Sequence, residues 1–317
     1  MLQCDAERLR ALLPWEALIA ALREMFVAGC EAPTRHHHTV PVPGEADATL
    51  LLMPAWRRGD YLGVKLVNVF PGNAERGLPA VTAAYLLCSG ATGEILALLD
   101  GGELTARRTA AASALAADFL ARPDACTLLL VGTGRLAPNL ALAYTRVRAL
   151  RRIRVWGRQP AKAEALGRTL QRAGLPAEPA GELEAEVAAA DIVSCATLST
   201  RPVICGQWLR PGTHLDLVGG FRPDMREADD EAIVRSRVYV DTRAGACSEA
   251  GDIVQPLASG VISETDIVAE LAQLCRGEAE GRGGPQEVTL FKSVGASLED
   301  LAAAILAYRE LQKSASP

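Results

Sequence analysis

The chain has 317 residues, enough for two domains, and is 49% hydrophobic and 22% charged, the balance of a globular protein and not of a disordered or fibrous one. A formal net charge of −5 argues against a nucleic-acid partner, because neutralising phosphates needs a basic face, and the one Arg-rich stretch, Arg146 to Arg158, reads as the solvated end of a helix with a specific role for Arg158 alone. No apolar run approaches the ~20 residues of a membrane span, and Asp5, Glu7, Arg8 and Arg10 stand where a signal peptide would need an apolar core, so no membrane partner and a cytoplasmic location are expected. The eight cysteines form no C-x-x-C pair and several lie inside apolar runs, such as Ile192-Val193-Ser194-Cys195. That pattern favours small buried hydrophobes in a reducing compartment over a disulfide framework or a zinc site.

Leu18, Ile19, Leu22, Met25 and Phe26 recur at helical spacing between Pro14 and Ala28. Beyond the loop from Cys30 to Pro33 the texture turns β-like. Leu50 to Met53, Tyr61 to Phe70, Val81 to Cys88 and Glu94 to Leu99 are short apolar or alternating runs, the last two separated by the turn signal Ser89 to Gly93. The first hundred residues therefore predict a helix and a mostly antiparallel sheet. An Ala-rich helix follows from Thr105 to Leu120 and stops at Arg122-Pro123-Asp124. From Thr127 the rhythm is strand and helix in alternation: strands at Thr127–Val131, Ile153–Trp156, Asp191–Ala196 and His214–Val218, helices at Ala137–Val147 and Ala161–Ala173. Continuous apolar strands spaced by helices mean a parallel sheet covered on both faces. Past Tyr239-Val240-Asp241 the pattern is irregular, then predicts a helix at Glu264–Arg276, a Gly-rich loop at Gly277–Gly284, a strand near Val288–Phe291 and a last helix from Leu298 to Leu311.

Gly132-Thr133-Gly134-Arg135-Leu136-Ala137 matches G-x-G-x-x-G/A, and it follows an apolar strand and opens a helix, the context that separates a dinucleotide site from a generic strand–helix turn. Gly132 permits the tight turn, Gly134 lets backbone approach the pyrophosphate, and Ala137 lets the helix pack closely, with phosphates at its N-terminus. An NAD site carries an acid about 20 residues on, for the ribose 2′-hydroxyl. Here Trp156-Gly157-Arg158-Gln159 stands in its place, with Lys162 one helical turn further. Arg158 can pair with a 2′-phosphate through charge-assisted bonds, so NADP(H) is expected in preference to NAD(H), which remains possible if Arg158 is merely solvated. The fold class expected is α/β: a Rossmann doubly wound parallel sheet plus a second, α+β domain.

The chain resembles the ornithine cyclodeaminase/mu-crystallin family over nearly its whole length. The resemblance is carried by Gly63-Val64-Lys65-Leu66-Val67-Asn68, Thr92-Gly93-Glu94-Ile95-Leu96-Ala97, Leu104-Thr105-Ala106-Arg107-Arg108-Thr109-Ala110-Ala111 and Phe119-Leu120-Ala121-Arg122-Pro123. Beyond the glycine motif it continues through Thr197 to Pro202, Pro211-Gly212-Thr213-His214, Gly219-Gly220-Phe221-Arg222-Pro223-Asp224 and Phe291-Lys292-Ser293-Val294-Gly295. It implies a homodimer whose subunits place substrate binding and dimerisation in residues 1–118 with 292–317, and dinucleotide binding in residues 119–291. It also implies hydride transfer between nicotinamide C4 and the α-carbon of a small amino or imino acid.

Three cations match the family's substrate-binding positions: Arg35 in Pro33-Thr34-Arg35, Lys65 and Arg108. Arg35 and Arg108 can grip a carboxylate bidentately. Lys65 interrupts an apolar run, a costly place for a charge, and is assigned to carboxylate binding or to proton transfer at the imine nitrogen, its pKa lowered by cationic neighbours; taken alone it would read as a snorkelling edge-strand lysine. Thr109, Thr197 and Ser293 match positions near the cofactor. His36-His37-His38 suggests a metal, yet adjacent residues on an extended strand alternate faces, so the run reads as a polar strand entrance and no metal is expected.

Two departures from the family decide between activities. Cyclodeaminases carry a catalytic aspartate after the Gly-Gly pair, where this chain has Phe221, and a second carboxylate where it has Leu51. Neither can act as acid or base. The preferred expectation is a reductase of cyclic ketimine carboxylates such as Δ1-pyrroline-2-carboxylate. The alternatives are ornithine cyclodeaminase or an alanine-type dehydrogenase, with Asp224 or Asp216 displaced into the missing role, and a non-catalytic small-ligand binder.

Overall fold

The computed structural model describes residues 1–315, which form two compact units, Met1–Arg108 with the segment from Ala296 onward, and Thr109–Gly295. The units divide at Arg108/Thr109 inside a helix and at Gly295/Ala296, against the expected 118/119 and 291/292.

The first unit opens with β1 (Leu2–Cys4), α1 (Ala6–Leu12) and α2 (Trp15–Ala28), which buries Leu18, Ile19, Leu22, Met25 and Phe26 along one face, the spacing that marks it in the sequence. Gly29, at φ 74°, ends α2 in a conformation that a side chain would strain. Strands β2 (His36–Val40), β3 (Ala48–Trp56), β4 (Tyr61–Val69), β5 (Val81–Ser89) and β6 (Ile95–Asp100) form an antiparallel meander, and β1 joins its far edge parallel to β6, giving the order β1-β6-β5-β4-β3-β2. Ser89 Oγ accepts from the amides of Ala91 and Thr92 and so closes the β5–β6 turn. Helix α3 (Gly101–Leu120) follows.

The second unit is an eight-stranded parallel sheet built from β7 (Thr127–Val131), α4 (Leu136–Tyr144), β8 (Arg152–Trp156), α5 (Pro160–Arg172), β9 (Ala177–Pro179), α6 (Leu183–Ala189), β10 (Ile192–Cys195), β11 (His214–Leu217), α7 (Asp230–Val234), β12 (Arg237–Val240), α8 (Arg243–Glu249), α9 (Gly251–Ala258), β13 (Ile267–Glu270), α10 (Leu271–Arg276) and β14 (Thr289–Lys292). Its order, β13-β12-β14-β11-β10-β7-β8-β9, makes it doubly wound: the chain runs outward from β7 through β8 to β9, then returns to the other side of β7 at β10. The crevice above the carboxyl ends of β7 and β10 is thus the topological switch point, where such sheets bind ligands. Every residue of β10, β11 and β14 is buried, as continuous apolar strands require. The last helix, α11 (Ser297–Ala315), returns to the first unit and packs on α2, β3 and β4.

Three expectations change. The helix expected at Glu264–Arg276 is a 3₁₀ turn at Glu264–Asp266, the strand β13 and the six-residue α10. Ile267 and Ala269 are buried while Val268 between them is 37% exposed, a period of two that lets the segment pair with β12 at the sheet edge. The stretch read as irregular after Asp241 holds α8 and α9, the first capped by Thr242, whose side chain accepts from the Gly245 amide. Finally, Arg148 is not solvated. It is buried, and its guanidinium donates to the carbonyls of Ala117, Asp118, Ala121 and Arg122, capping the C-terminal end of α3.

Candidate cofactor and substrate sites

The dinucleotide motif sits at the switch point of the second unit. Gly132 follows β7 directly, at φ 121°, and a Cβ there would come within 2.5 Å of the Ala196 carbonyl oxygen. Its amide donates to the carbonyl of Trp156 at the end of β8. No heavy atom lies within 4 Å of where a Gly134 Cβ would be, so the backbone is open to a ligand on that side. Arg135 and Leu136 lead into α4, whose N-terminal amides face the same turn and favour an anion. A Gly157 Cβ would press to 2.7 Å against Thr133. Gly132, Thr133, Gly134, Gly157, Arg158 and Lys162 line one groove, with Thr197, Leu198, Ser199 and Val203 on its opposite wall. Arg158 and Lys162 are exposed. The donor set, an open glycine backbone at Gly134, amides at a helix start and two cations, fits a dinucleotide. Thr109 and Ser293, also expected near the cofactor, are buried and do not line the groove.

Behind the wall formed by residues 196–204 lies a buried cluster of charges absent from the sequence-based expectations. Lys292, the last residue of β14, places its Nζ 3.0 Å from Asp252 Oδ2 and 4.0 Å from Glu227 Oε2. Nothing in the local pattern marks Glu227, on the loop before α7, or Asp252, in the segment without clear periodicity.

In the first unit two of the three expected cations meet. Lys65 is on β4, a central strand, and only 2% exposed, so it is no edge lysine. Its Nζ lies 2.7 Å from Asp300 Oδ2 near the start of α11. Arg108 on α3 donates through Nε to Asp300 Oδ1 at 2.8 Å and through Nη1 to Glu299 Oε2 at 2.5 Å. Asp300 therefore bridges both cations. Burial pushes the Lys65 pKa down to about 8, with Arg108 and Arg35 pushing the same way and Asp300 pushing back. The main cause is thus desolvation, not the cationic neighbours the sequence suggests. Two of the five guanidinium donors of Arg108 go to the acids, through Nε and Nη1, which leaves Nη2 and one Nη1 hydrogen for a further carboxylate. Arg35 stands just before β2 and acts on Lys65 through charge. Sequence spacing cannot reveal Glu299 and Asp300: they read as ordinary acids in a helix's first turn, where the dipole favours them.

The residues considered as replacements for the cyclodeaminase acids are committed elsewhere. Asp216 is fully buried in β11 and accepts from Ser113, Tyr144 and Ser194, while burial raises its pKa to about 6. Asp224 is exposed and paired by both oxygens with Arg222. Phe221 is 44% exposed on the loop after β11, and Leu51 lies in β3. His36 and His38 share a face of the edge strand β2, and among the described residues no group of histidines, cysteines and acids is placed to hold a metal. No helix among the described residues is long and apolar enough to cross a membrane.

Comparison with known proteins agrees with this architecture. The model of the ornithine cyclodeaminase/mu-crystallin family matches residues 7–315. The Delta(1)-pyrroline-2-carboxylate reductase of Paracoccus denitrificans is 39% identical over 290 residues, covering 91% of this chain and 90% of that protein. The ketimine reductase mu-crystallin of Rattus norvegicus is 33% identical over 296 residues, covering 93% and 90%. The solved structure of Thermococcus litoralis Delta(1)-pyrroline-2-carboxylate reductase in complex with NADH and L-proline superposes with a TM-score of 0.92 at 33% identity, covering 99% of this chain and 98% of that one. With the family model spanning almost the whole sequence and relatives matching over nine tenths of both chains, the chain belongs to the ornithine cyclodeaminase/mu-crystallin family.

Proposed function

We propose that the protein is a nicotinamide-dependent oxidoreductase that reduces cyclic ketimine carboxylates of the Δ1-pyrroline-2-carboxylate type to the corresponding cyclic amino acids. The observation that carries this reading is the buried Lys65–Asp300–Arg108 cluster, an ammonium with a pKa near 8 joined to a guanidinium by one shared carboxylate. A cyclic imino acid presents a carboxylate next to a C=N bond. Arg108 and Arg35 hold the carboxylate, and Lys65 gives its proton to the imine nitrogen as the α-carbon is reduced. The bound reduced nicotinamide supplies the hydride. Asp300 fixes the directions of Lys65 and Arg108 before substrate arrives, so less reorganisation is left for the reaction itself. Gly132, Thr133, Gly134, Arg135 and Leu136 hold the phosphates, and Gly157, Arg158 and Lys162 hold the adenosine ribose. Thr197 contacts the cofactor from the opposite wall, and Thr109 and Ser293 act closer to the reacting ring.

Further parts of the reading rest on other observations. Arg158 and Lys162, with no acid beside them at the end of β8, favour NADP(H) over NAD(H). The outer face of the first unit's sheet carries Leu52 opposite Leu66, Val64 opposite Leu86, and Leu86 opposite Leu98, with Leu62 and Leu66 each 37% exposed. A continuous apolar face of this kind needs a partner, and a second copy of the chain supplies one in a homodimer. Eight cysteines, none in a disulfide, suit a reducing compartment, hence the cytoplasm.

The test is NADPH oxidation with Δ1-pyrroline-2-carboxylate and its six-membered homologue, beside L-ornithine with NAD. The expected result is turnover of the imines and no ammonia or proline from ornithine. Ornithine turnover in the usual enzyme range of roughly 1–10³ s⁻¹ would make the protein a cyclodeaminase with a relocated base. Binding of imines without turnover would make it a ligand-binding protein.

A further inference from the structure

Glu227 does not line the dinucleotide groove, yet it fixes one whole wall of it. Its Oε1 accepts from the backbone amide of Thr197 at 2.6 Å and from the Thr197 hydroxyl at 2.8 Å. Thr197 Oγ1 in turn accepts from the Ser199 amide. The Glu227 carbonyl accepts from the amides of Val203 and Ile204, so the same residue holds the wall at its other end. Its Oε2 accepts from the Gly219 amide at 2.7 Å, joining the loop after β10 to the loop after β11. Asp252 Oδ1 anchors Glu227 in place by accepting its amide at 2.7 Å and that of Ala228 at 3.1 Å.

This arrangement is costly as a core. Glu227, Asp252 and Lys292 are all fully buried, and a buried ion cluster contributes less to stability than apolar side chains of the same volume. Room for it is made by the Gly219-Gly220 pair. A Cβ on Gly219 would overlap the Thr197 carbonyl, and one on Gly220 would press to 2.8 Å on Asp252 Oδ2 and 3.3 Å on Lys292 Nζ. Two carboxylates, an ammonium and two glycines placed behind one loop make sense as a device for holding that loop.

We propose that Glu227 is a positioning residue for the cofactor, a buried clamp that sets the Thr197–Val203 wall of the dinucleotide groove and acts on the ligand through Thr197. Burial also pushes its carboxyl up to about 7, with Lys292 opposing and Asp252 adding to the shift. The groups facing it are Cys195 on β10, Asp252 on α9 and Lys292 on β14, with Asp241 and Asp216 acting on Lys292 from beyond. The ionised clamp accepts all three bonds, whereas protonation takes away acceptor capacity. Cofactor affinity therefore falls as the pH drops through about 7.

The experiment is a titration with NADH, which has no 2′-phosphate to titrate in this range, between pH 6 and 8, on wild type, Glu227→Gln, Thr197→Val and the double variant. The expected result is a wild-type Kd that rises toward pH 6. Glu227→Gln raises Kd at pH 8 by about tenfold or more, the loss of one charge-assisted hydrogen bond, and flattens the pH dependence. The double variant loses less than the sum of the two single losses, because both changes cut the Thr197 Oγ1–Glu227 link. Wild-type affinity and slope in Glu227→Gln, or losses that add in the double variant, would overturn the proposal. A slope retained in Glu227→Gln would do the same. Circular dichroism checks the fold. Where Glu227→Gln fails it, Thr197→Val decides alone: it leaves the charge cluster intact, and must weaken NADH at pH 8 and reduce the slope, whereas an unchanged slope overturns the clamp.

Discussion

Arg158 and Lys65 each carry one charge on which the proposed chemistry turns. Arg158 is exposed at the groove, where a carboxylate would bind a ribose 2′-hydroxyl and repel a 2′-phosphate. Calorimetry is expected to give NADPH an affinity at least about tenfold above NADH, the low end of one charge-assisted bond, and Arg158→Glu is expected to reverse the order. Equal affinities in the wild type would remove Arg158 from the role. For Lys65 the sign follows from its pKa of about 8: the ammonium that donates the proton is the main form below that pH and is lost above it. kcat for imine reduction is therefore expected to fall as pH rises through about 8. Asp300→Asn removes an upward push on that pKa and should move the falling limb to lower pH, and Lys65→Met should lower kcat roughly 10²–10⁴-fold while KM changes little. A Lys65→Met enzyme that keeps its kcat and shows only a raised KM would make Lys65 a carboxylate ligand and water the proton source.

Among elements, the end of α3 depends on a residue from elsewhere in the chain. Arg148 supplies donors to four carbonyls there, and Arg148→Ala would leave buried acceptors unsatisfied, at a cost of about 2–3 kcal/mol. In a unit of this size each kcal/mol lowers Tm by roughly 2–4 °C, so differential scanning calorimetry should show a clear fall with little change in cofactor affinity. A Tm unchanged from wild type would mean that water replaces the cap. Elements with strong periodicity, such as α2, β7 and β10, are legible in the sequence because burial imposes their pattern directly. So is the Gly132–Ala137 turn, whose residue types follow from backbone geometry, and so is Lys65, the lone charge in an apolar strand. What resists reading is anything fixed by distant partners. Asp300 meets Arg108 across 192 positions of sequence. β13 is a strand because β12 offers an edge, and α8 and α9 are too short for periodicity to show.

At the scale of the molecule, the open apolar face of the first sheet predicts association. Size-exclusion chromatography with light scattering should find a dimer, and Leu62→Arg with Leu66→Arg should yield monomers, because two copies would then bury like charges opposite a leucine-rich surface. A monomeric wild type would leave that face without its proposed partner.

The return of α11 to the first unit has a consequence for how the chain is made. Lys65 and Arg108 are translated early, but Glu299 and Asp300 leave the ribosome only after all of the parallel sheet has been synthesised. Until then two cations destined for burial have no counter-charges, and the faces of β3, β4 and α2 that α11 covers stand open. The dinucleotide unit, continuous in sequence from Thr109 to Gly295, has no such dependence. The first unit, though begun first, is thus completed last. Its uncovered faces wait longest in the nascent chain, and the ionic lock around Asp300 closes only once α11 has been made.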